Sequence, residues 1–182
     1  MAIRIAYSVA KTIVDDALSR VPDEACGLIA GDGETIQSAI PLNNVAASKR
    51  SSYSCEPKEQ LLALKGFDAD NLVWMGVYHS HPDSAAIPSA ADVEGARDHR
   101  LLQLIVSVQK SKPELQLWRI GETGVMPLEL IFDTQTAARF DDTPPSQKQR
   151  AAIVAAAIIS VILVLAISLV LLPPAPDIAS IP

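Results

Sequence analysis

The feature that most limits how this chain can fold is a run of 22 residues near its end, AAIVAAAIISVILVLAISLVLL, which contains no charged side chain. It extends from Ala151 to Leu172, and its only polar residues are Ser160 and Ser168. A helix of this length is about 33 Å long, which matches the thickness of a bilayer's hydrocarbon core. A buried core helix is the alternative, but such helices seldom run this far without a polar face. We therefore expect a transmembrane helix at 151–172.

The charges beside this run indicate how it would cross the membrane. Lys148 and Arg150 precede it, whereas the short tail, residues 173–182, contains neither lysine nor arginine. Positive charge is retained on the cytoplasmic side of a membrane. We therefore expect a single-pass membrane protein whose N-terminal domain is cytoplasmic. The first 20 residues lack the apolar segment of a signal peptide.

The rest of the chain has the composition of one soluble domain, residues 1–132, and a polar, proline-containing linker, residues 133–150. The part before the apolar run carries all 15 basic residues and all but one of the 21 acidic residues. This net negative charge, without a basic cluster, argues against a nucleic-acid partner. Cys26 and Cys55 form no Cys-x-x-Cys pair, which excludes a cysteine zinc site and favours reduced thiols.

Hydrophobic periodicity predicts an α/β or α+β domain of five or six strands and two or three helices. The polar segment 43–55 is expected to be a mobile loop, and the strand at 72–78 is expected to be buried on both faces. The expected helices are 8–20, 57–65 and 89–97, and the expected strands are 26–30, 35–42, 72–78, 101–108, 115–120 and 125–132.

A pair of histidines follows the strand at 72–78. His79 and His81 are one residue apart, so on a strand they project from the same face, with Cα atoms about 6.6 Å apart. Pro82 cannot continue a central strand, which places the pair at the strand's end, where sites in α/β sheets gather. Two imidazoles so placed can bind one zinc ion. An isolated pair of this kind is more often a surface feature, so the residues that follow decide between the two interpretations.

Ser89 and Asp92 form a Ser-x-x-Asp pattern at the start of an expected helix. Taken alone, this pattern predicts a capping box. Beside the histidines, Asp92 can also provide a third metal ligand, which leaves one coordination position for water, as in hydrolytic zinc centres. The Ser89 hydroxyl can then donate a hydrogen bond to an oxyanion. Both interpretations can hold together.

A hydrolytic centre also needs a general base. Glu24, just before the strand at 26–30, is the candidate. Asp23 is nearly as good on sequence alone, and a solvated acid in a turn is the alternative for either residue.

The complete pattern resembles the JAMM motif of the MPN-plus metalloproteases, in particular their prokaryotic members, over residues 1–132. The resemblance implies that His79, His81 and Asp92 bind Zn²⁺, that Glu24 is the general acid/base, and that Ser89 stabilises the tetrahedral intermediate. It also implies a cytidine-deaminase-like α/β/α sandwich around a curved, mixed sheet. The matching positions are Glu24, His79, Ser80, His81, Pro82, Ser89 and Asp92.

This resemblance implies hydrolysis of a peptide or isopeptide bond at the C-terminus of a ubiquitin-like protein or its conjugates, here close to a membrane. The segment 43–55 is the part of the chain available to hold a substrate tail. A catalytically silent MPN-type module that recruits partners to the membrane is the alternative, although such modules usually lack a ligand position and this chain lacks none. A zinc hydrolase of small molecules, such as a nucleobase deaminase, is a third, but the His-x-Glu and Pro-Cys-x-x-Cys signature of deaminases is missing. The sequence does not determine the oligomeric state.

Overall fold

The computed structural model describes residues 2–96, 98–122 and 124–133. The strands are β1 (Ala2–Ala6), β2 (Cys26–Gly31), β3 (Thr35–Leu42), β4 (Val73–His81), β5 (Leu102–Ser107), β6 (Glu114–Gly121) and β7 (Gly124–Asp133), and the helices are α1 (Tyr7–Arg20), α2 (Pro57–Ala69) and α3 (Ala90–Gly95).

The expected transmembrane helix at 151–172, the tail, and all but the first residue of the expected linker lie outside the described residues. Within the described ranges, no helix is both long and apolar enough to cross a bilayer.

The seven strands form one mixed sheet that closes on itself in the order β1-β3-β2-β4-β5-β6-β7. Closure depends on β1, which pairs in parallel with both β3 and β7. At the centre, β4 pairs antiparallel with β2 and parallel with β5. The strand that ends in the two histidines therefore has a partner on both sides from Gly76 to His79, and β5 continues alongside it to His81, which gives its last residues a fixed direction.

Two helices cover opposite faces of this sheet, and the side chains of β2 show how. Ile29 belongs to the apolar cluster that includes the buried side of α1, whereas Leu28 and Ala30 belong to a second cluster with Phe67 of α2. Alternate residues of a strand point to opposite faces, so one strand can contribute to both clusters. The expected α/β class with a mixed sheet is confirmed. The likeness to cytidine deaminases stays an expectation.

Most of the expected elements are present, but the structure differs from expectation at several points. The strand β1 was not expected, because its alternation covers only five residues and its neighbours come from distant parts of the chain. Helix α2 continues four residues beyond the expected end, and β4 continues through the histidines. The expectation that the strand at 72–78 is buried on both faces is wrong at its beginning, where Val73 is 60% exposed.

Gly76 shows how closely β4 approaches β5. A Cβ atom at this position would lie 2.1 Å from the carbonyl oxygen of Leu102, far inside contact distance. Glycine is required here because the backbone of β5 occupies the space that any side chain would need.

Candidate metal centre and active site

The two histidines lie at the end of β4 with their rings turned to the same side. His79 is fully buried and His81 is buried. Their Nε2 atoms are 3.2 Å apart and their ring centroids 5.0 Å apart. This is the convergence expected for a His-x-His pair on a strand, and it brings two nitrogen atoms together at one point.

Asp92 reaches the same point from the first turn of α3. Its Oδ1 atom lies 3.3 Å from Nε2 of His79, and its Oδ2 atom lies 3.4 Å from Nε2 of His81. The carboxylate is held by the capping box at the start of the helix, since the backbone N–H of Ser89 donates to Oδ2 at 2.7 Å and the Asp92 N–H donates to the Ser89 hydroxyl at 3.2 Å. The capping and ligand interpretations of this Ser-x-x-Asp pattern therefore describe the same arrangement.

The donor atoms of these three residues are close enough to share one ion. The two Nε2 atoms are 3.2 Å apart, and each lies beside a different oxygen of the Asp92 carboxylate, that of His79 3.3 Å from Oδ1 and that of His81 3.4 Å from Oδ2. In a tetrahedral site with Zn–N and Zn–O distances near 2.0–2.1 Å, neighbouring ligand atoms are about 3.3–3.4 Å apart. His79, His81 and Asp92 thus form a group that could hold a metal ion, and two imidazoles with one carboxylate are a donor set suited to zinc.

Contacts behind the ligands orient the imidazole rings. Nδ1 of His81 is 2.8 Å from the carbonyl oxygen of Ala85, and only a proton on Nδ1 makes this contact a hydrogen bond. With that proton on Nδ1, the lone pair of Nε2 is directed toward the other donors. The ring of Tyr53 stacks on His79 with centroids 4.3 Å apart, and its hydroxyl is 3.2 Å from Oε1 of Gln103. Tyr53 therefore packs over a metal ligand, although nothing in the polar segment around it marked this role in the sequence.

The surroundings of the three candidate ligands favour an anionic carboxylate on Asp92 and a neutral imidazole on His79, whereas His81 is more readily protonated. Burial opposes the charge on Asp92, but hydrogen bonds from His79 and His81 outweigh it and hold the pKa of this carboxyl below its usual range. Burial lowers the pKa of His79. For His81, burial acts in the same direction, but the hydrogen bonds to Asp92 and Ala85 prevail and raise its pKa.

Glu24, the expected general base, is buried next to this group. Its side chain is 6% exposed, and Oε2 has no hydrogen-bond partner among the described residues. Burial, reinforced by the charge of Asp92 and opposed by that of His81, raises the pKa of Glu24 to about 7. A carboxyl group that exchanges its proton near neutral pH suits a group that must accept and return one. Burial thus distinguishes the two acids that the sequence offered as general base, because Asp23 is only half-buried.

Ser80, between the two histidines, anchors the segment that carries Glu24. Its side chain points away from the rings, is fully buried, and accepts a hydrogen bond from the N–H of Ala25 at 2.8 Å. The Ser80 N–H donates to the Ala25 carbonyl at 3.0 Å. Ser80 therefore ties the residue after Glu24 to the strand that carries both imidazole ligands.

Asn44 organises the loop at 43–55, which was expected to be mobile. Its amide nitrogen donates to the carbonyls of Glu24 at 2.9 Å and Ser52 at 3.0 Å. Its amide oxygen accepts from the N–H groups of Ala46 at 3.0 Å and Ser54 at 3.1 Å. The segment is irregular, as predicted, but these bonds fix its course beside Glu24.

The hydroxyl of Ser89 is engaged within the site. It donates to Oδ2 of Asp92 at 2.7 Å, so contact with a substrate oxyanion requires this hydroxyl to turn away from Asp92.

A cleft of about 380 Å³ opens beside these residues. It is lined by Glu24, His81 and Ser89, together with Arg50 and Asp83. The sequence-predicted site residues therefore lie together, and Arg50 and Asp83 are additions that only the structure reveals.

Comparison with known proteins places this arrangement in a family. The family model for prokaryotic homologs of the JAB domain matches residues 7–121. A desampylase of Haloferax volcanii is 40% identical over 88 residues, which are 47% of this chain and 63% of that protein. A probable TtuB-protein conjugate cleaving protease of Thermus thermophilus is 40% identical over 80 residues, 44% of this chain and 53% of that protein. The chain thus spans between half and two thirds of the length of these two relatives.

A CysO-cysteine peptidase of Mycobacterium tuberculosis is 32% identical over 107 residues, which cover 57% of this chain and 73% of that protein. The solution structure of DSY2949 from Desulfitobacterium hafniense, 34% identical, superposes with a TM-score of 0.67 over 73% of this chain and 93% of its own. Since the family model spans more than half of the 182 residues, the chain belongs to the prokaryotic homologs of the JAB domain.

Proposed function

We propose that this protein is a zinc-dependent peptidase that hydrolyses the bond at the C-terminus of a ubiquitin-like protein, in a precursor or a conjugate. The observation that carries the proposal is the triangle of donor atoms from His79, His81 and Asp92, with the unpartnered carboxyl of Glu24 in the adjoining cleft. A metal-binding triad alone could be structural, but a structural zinc site is closed by four protein ligands. Three ligands with a titratable acid nearby are typical of a hydrolytic centre.

In this proposal, Glu24 and Ser89 have separate roles in hydrolysis beside the bound metal. When bound, a zinc ion supplies Lewis acidity, which acidifies water and polarises a carbonyl group. Glu24 accepts the proton of the attacking water and returns it to the leaving amine, a cycle suited to a carboxyl group whose pKa lies near 7. The Ser89 hydroxyl, once turned from Asp92, donates a hydrogen bond to the developing oxyanion of the substrate.

The substrate class in this proposal comes from the relatives. They include a desampylase, a probable TtuB-protein conjugate cleaving protease and a CysO-cysteine peptidase. By their names, the second cleaves conjugates of the protein TtuB and the third acts on a CysO–cysteine bond, and by analogy a ubiquitin-like tail is the substrate that we infer for this chain. The expected membrane anchor would place this activity at a membrane surface.

The test offers the zinc-loaded protein a panel of ubiquitin-like proteins with C-terminal extensions, with and without a chelator. We expect cleavage that the chelator abolishes and about one zinc per chain by elemental analysis, as for one three-ligand site. Glu24→Gln should retain zinc and lose hydrolysis by at least about 100-fold, the contribution typical of a general base. His81→Ala should lose both.

The matched control is Glu122→Gln, which changes an exposed acid outside the cleft and should leave both properties intact. If the Glu24→Gln variant cleaves at the parental rate, the assignment of the base is wrong. A protein that binds no metal and cleaves no member of the panel, but captures a ubiquitin-like protein, would instead support the silent binding module.

A further inference from the structure

The cleft beside the candidate ligands contains a positive charge that the chemistry above does not use. Among the described residues that line it, Arg50 is the only lysine or arginine. We propose that Arg50 binds the α-carboxylate of the residue that leaves, so that the protein prefers a single C-terminal amino acid joined through its α-amino group over a lysine-linked conjugate. This inference rests on the proposed function and adds the nature of its leaving group.

The position of Arg50 relative to Glu24 indicates which part of the substrate Arg50 would contact in the cleft. The N–H of Glu24 donates to the carbonyl of Lys49 at 2.7 Å, so the residue after Lys49 lies beside the proposed general acid. Asn44 fixes the same loop by its bond to the Glu24 carbonyl. Because Glu24 must deliver its proton to the leaving amine, that amine lies near Glu24, and Arg50 is on the leaving-group side.

The chemistry of the leaving group decides what Arg50 can recognise there. In a C-terminal amino acid, the free carboxylate is only two bonds from the amine nitrogen that leaves. In a lysine-linked conjugate, the leaving nitrogen is at the end of a long side chain whose backbone carboxyl is already in a peptide bond. A guanidinium group binds a carboxylate through directed, charge-assisted hydrogen bonds, so Arg50 distinguishes the two kinds of bond.

In this structure Arg50 already binds a carboxylate, that of Asp83. Nε and Nη2 of Arg50 donate to Oδ2 of Asp83 at 3.0 and 2.8 Å. Both side chains are largely exposed, 66% for Arg50 and 64% for Asp83. An ion pair so exposed to water contributes little to stability and is readily exchanged. Asp83 therefore occupies the place of the substrate carboxylate and competes with it.

The kinetic experiment uses the zinc-loaded full-length chain in mild detergent and the ubiquitin-like protein that is cleaved fastest in the panel. That protein carries one added C-terminal alanine, either as the free acid or as the primary amide. We expect kcat/KM to be about tenfold higher for the acid, as for one charge-assisted contact. Arg50→Gln should bring the ratio of acid to amide close to one, mainly by raising KM for the acid. Asp83→Asn should lower KM for the acid, because the competing carboxylate is removed.

The matched control is Arg100→Gln, which removes an arginine from another exposed ion pair, with Asp98, outside this cleft, and should keep the ratio. If wild type shows no preference for the acid, or Arg50→Gln keeps the preference, the inference is overturned. An equal loss on acid and amide would also overturn it, because Arg50 would then contact an acidic side chain elsewhere in the substrate.

A binding measurement separates this inference from the proposed function. L-alanine and L-alaninamide are titrated into the zinc-loaded chain carrying ¹⁵N-labelled arginine, and the Arg50 Nε–H signal is assigned by its loss in Arg50→Gln. A shift of this signal by L-alanine and not by the amide supports the inference even if no member of the panel is cleaved. Equal shifts, or none, would contradict it whether or not the protein is a peptidase.

Discussion

Glu24 carries a carboxyl group in a place where its charge is costly. Burial, with a further contribution from Asp92, raises the pKa of Glu24 from its ordinary value of 4.5 to about 7. A raised folded-state pKa means that the neutral acid is favoured in the folded protein. Its burial therefore costs no charge-related stability below about pH 4, and the cost grows between about pH 4.5 and 7 and stays constant above that range.

Glu24→Gln should accordingly stabilise the metal-free protein in alkaline but not in acidic solution. We expect the free energy of unfolding to rise by about 1–3 kcal/mol at pH 8 and to change little at pH 4. Urea unfolding of chelator-treated protein at both pH values measures this difference. Glu122→Gln is the control at an exposed position, and a Glu24→Gln gain that is equal at both pH values would contradict the explanation by ionisation.

At this scale, local sequence patterns indicated the candidate ligands better than the residues around them. The spacing of His79, His81 and Asp92 follows from a strand, a proline and a capping box, all of which are local patterns. Local patterns hardly separated Glu24 from Asp23, because the choice depends on which of two adjacent acids turns inward, and only the resemblance to the JAMM motif favoured Glu24. Arg50 and Tyr53 carried no signal either, since their course is fixed by Asn44 through contacts between distant residues.

At the scale of elements, the pairing of β4 with β5 positions the ligands. Six residues of β4, from Gly76 to His81, pair in register with Leu102 to Ser107 of β5. Because Gly76 lies at the first of these pairs with no room for a Cβ atom, it determines how closely the two strands approach.

Gly76→Ala should therefore damage the sheet. We expect a loss of more than about 2 kcal/mol in the free energy of unfolding, since backbone would have to move to relieve the contact with Leu102. The matched control is Gly66→Ala in α2, where a Cβ atom meets nothing within 4 Å and the helix should gain about 0.5–1 kcal/mol. Chemical denaturation of both variants checks the pair, and similar effects of the two substitutions would refute the steric argument.

The elements that sequence predicted well are those with a strong local pattern. Helix α1, the hairpin of β2 and β3, and the last three strands differ from expectation by a residue or two at their ends. The strand β1 was missed because five residues with an arginine at their centre are a weak local pattern. Its strand conformation depends on partners about 30 and 125 residues away in the chain.

At the scale of the whole molecule, the candidate metal site joins two segments that differ in their own stability. His79 and His81 belong to the buried sheet, whereas Asp92 belongs to a helix of six residues. So short a helix has little stability of its own. A metal ion bound by both would therefore stabilise the folded domain as a whole.

Zinc should raise the melting temperature of the protein in a concentration-dependent way. At a free zinc concentration 100 times the dissociation constant, the expected stabilisation is about 2.7 kcal/mol, which corresponds to several degrees. Asp92→Asn should largely lose this shift, whereas Asp15→Asn, at an exposed acid on α1, should keep it. Differential scanning calorimetry with and without zinc makes the comparison, and an equal shift in both variants would place the zinc elsewhere.

The position of β1 between β3 and β7 has a consequence for how the chain is made. One of the two neighbours of β1, residues 129–133, is synthesised more than 120 residues after β1 itself. Closing so long a loop is slow and entropically costly. Until it closes, Ile3 and Ile5, both fully buried in the finished domain, lack part of the apolar cluster that covers them. Premature termination before residue 129 would therefore leave a product with incompletely covered apolar side chains, which favours aggregation. A bulky tag fused directly to Ala2 would interfere with the pairing of β1 with β7.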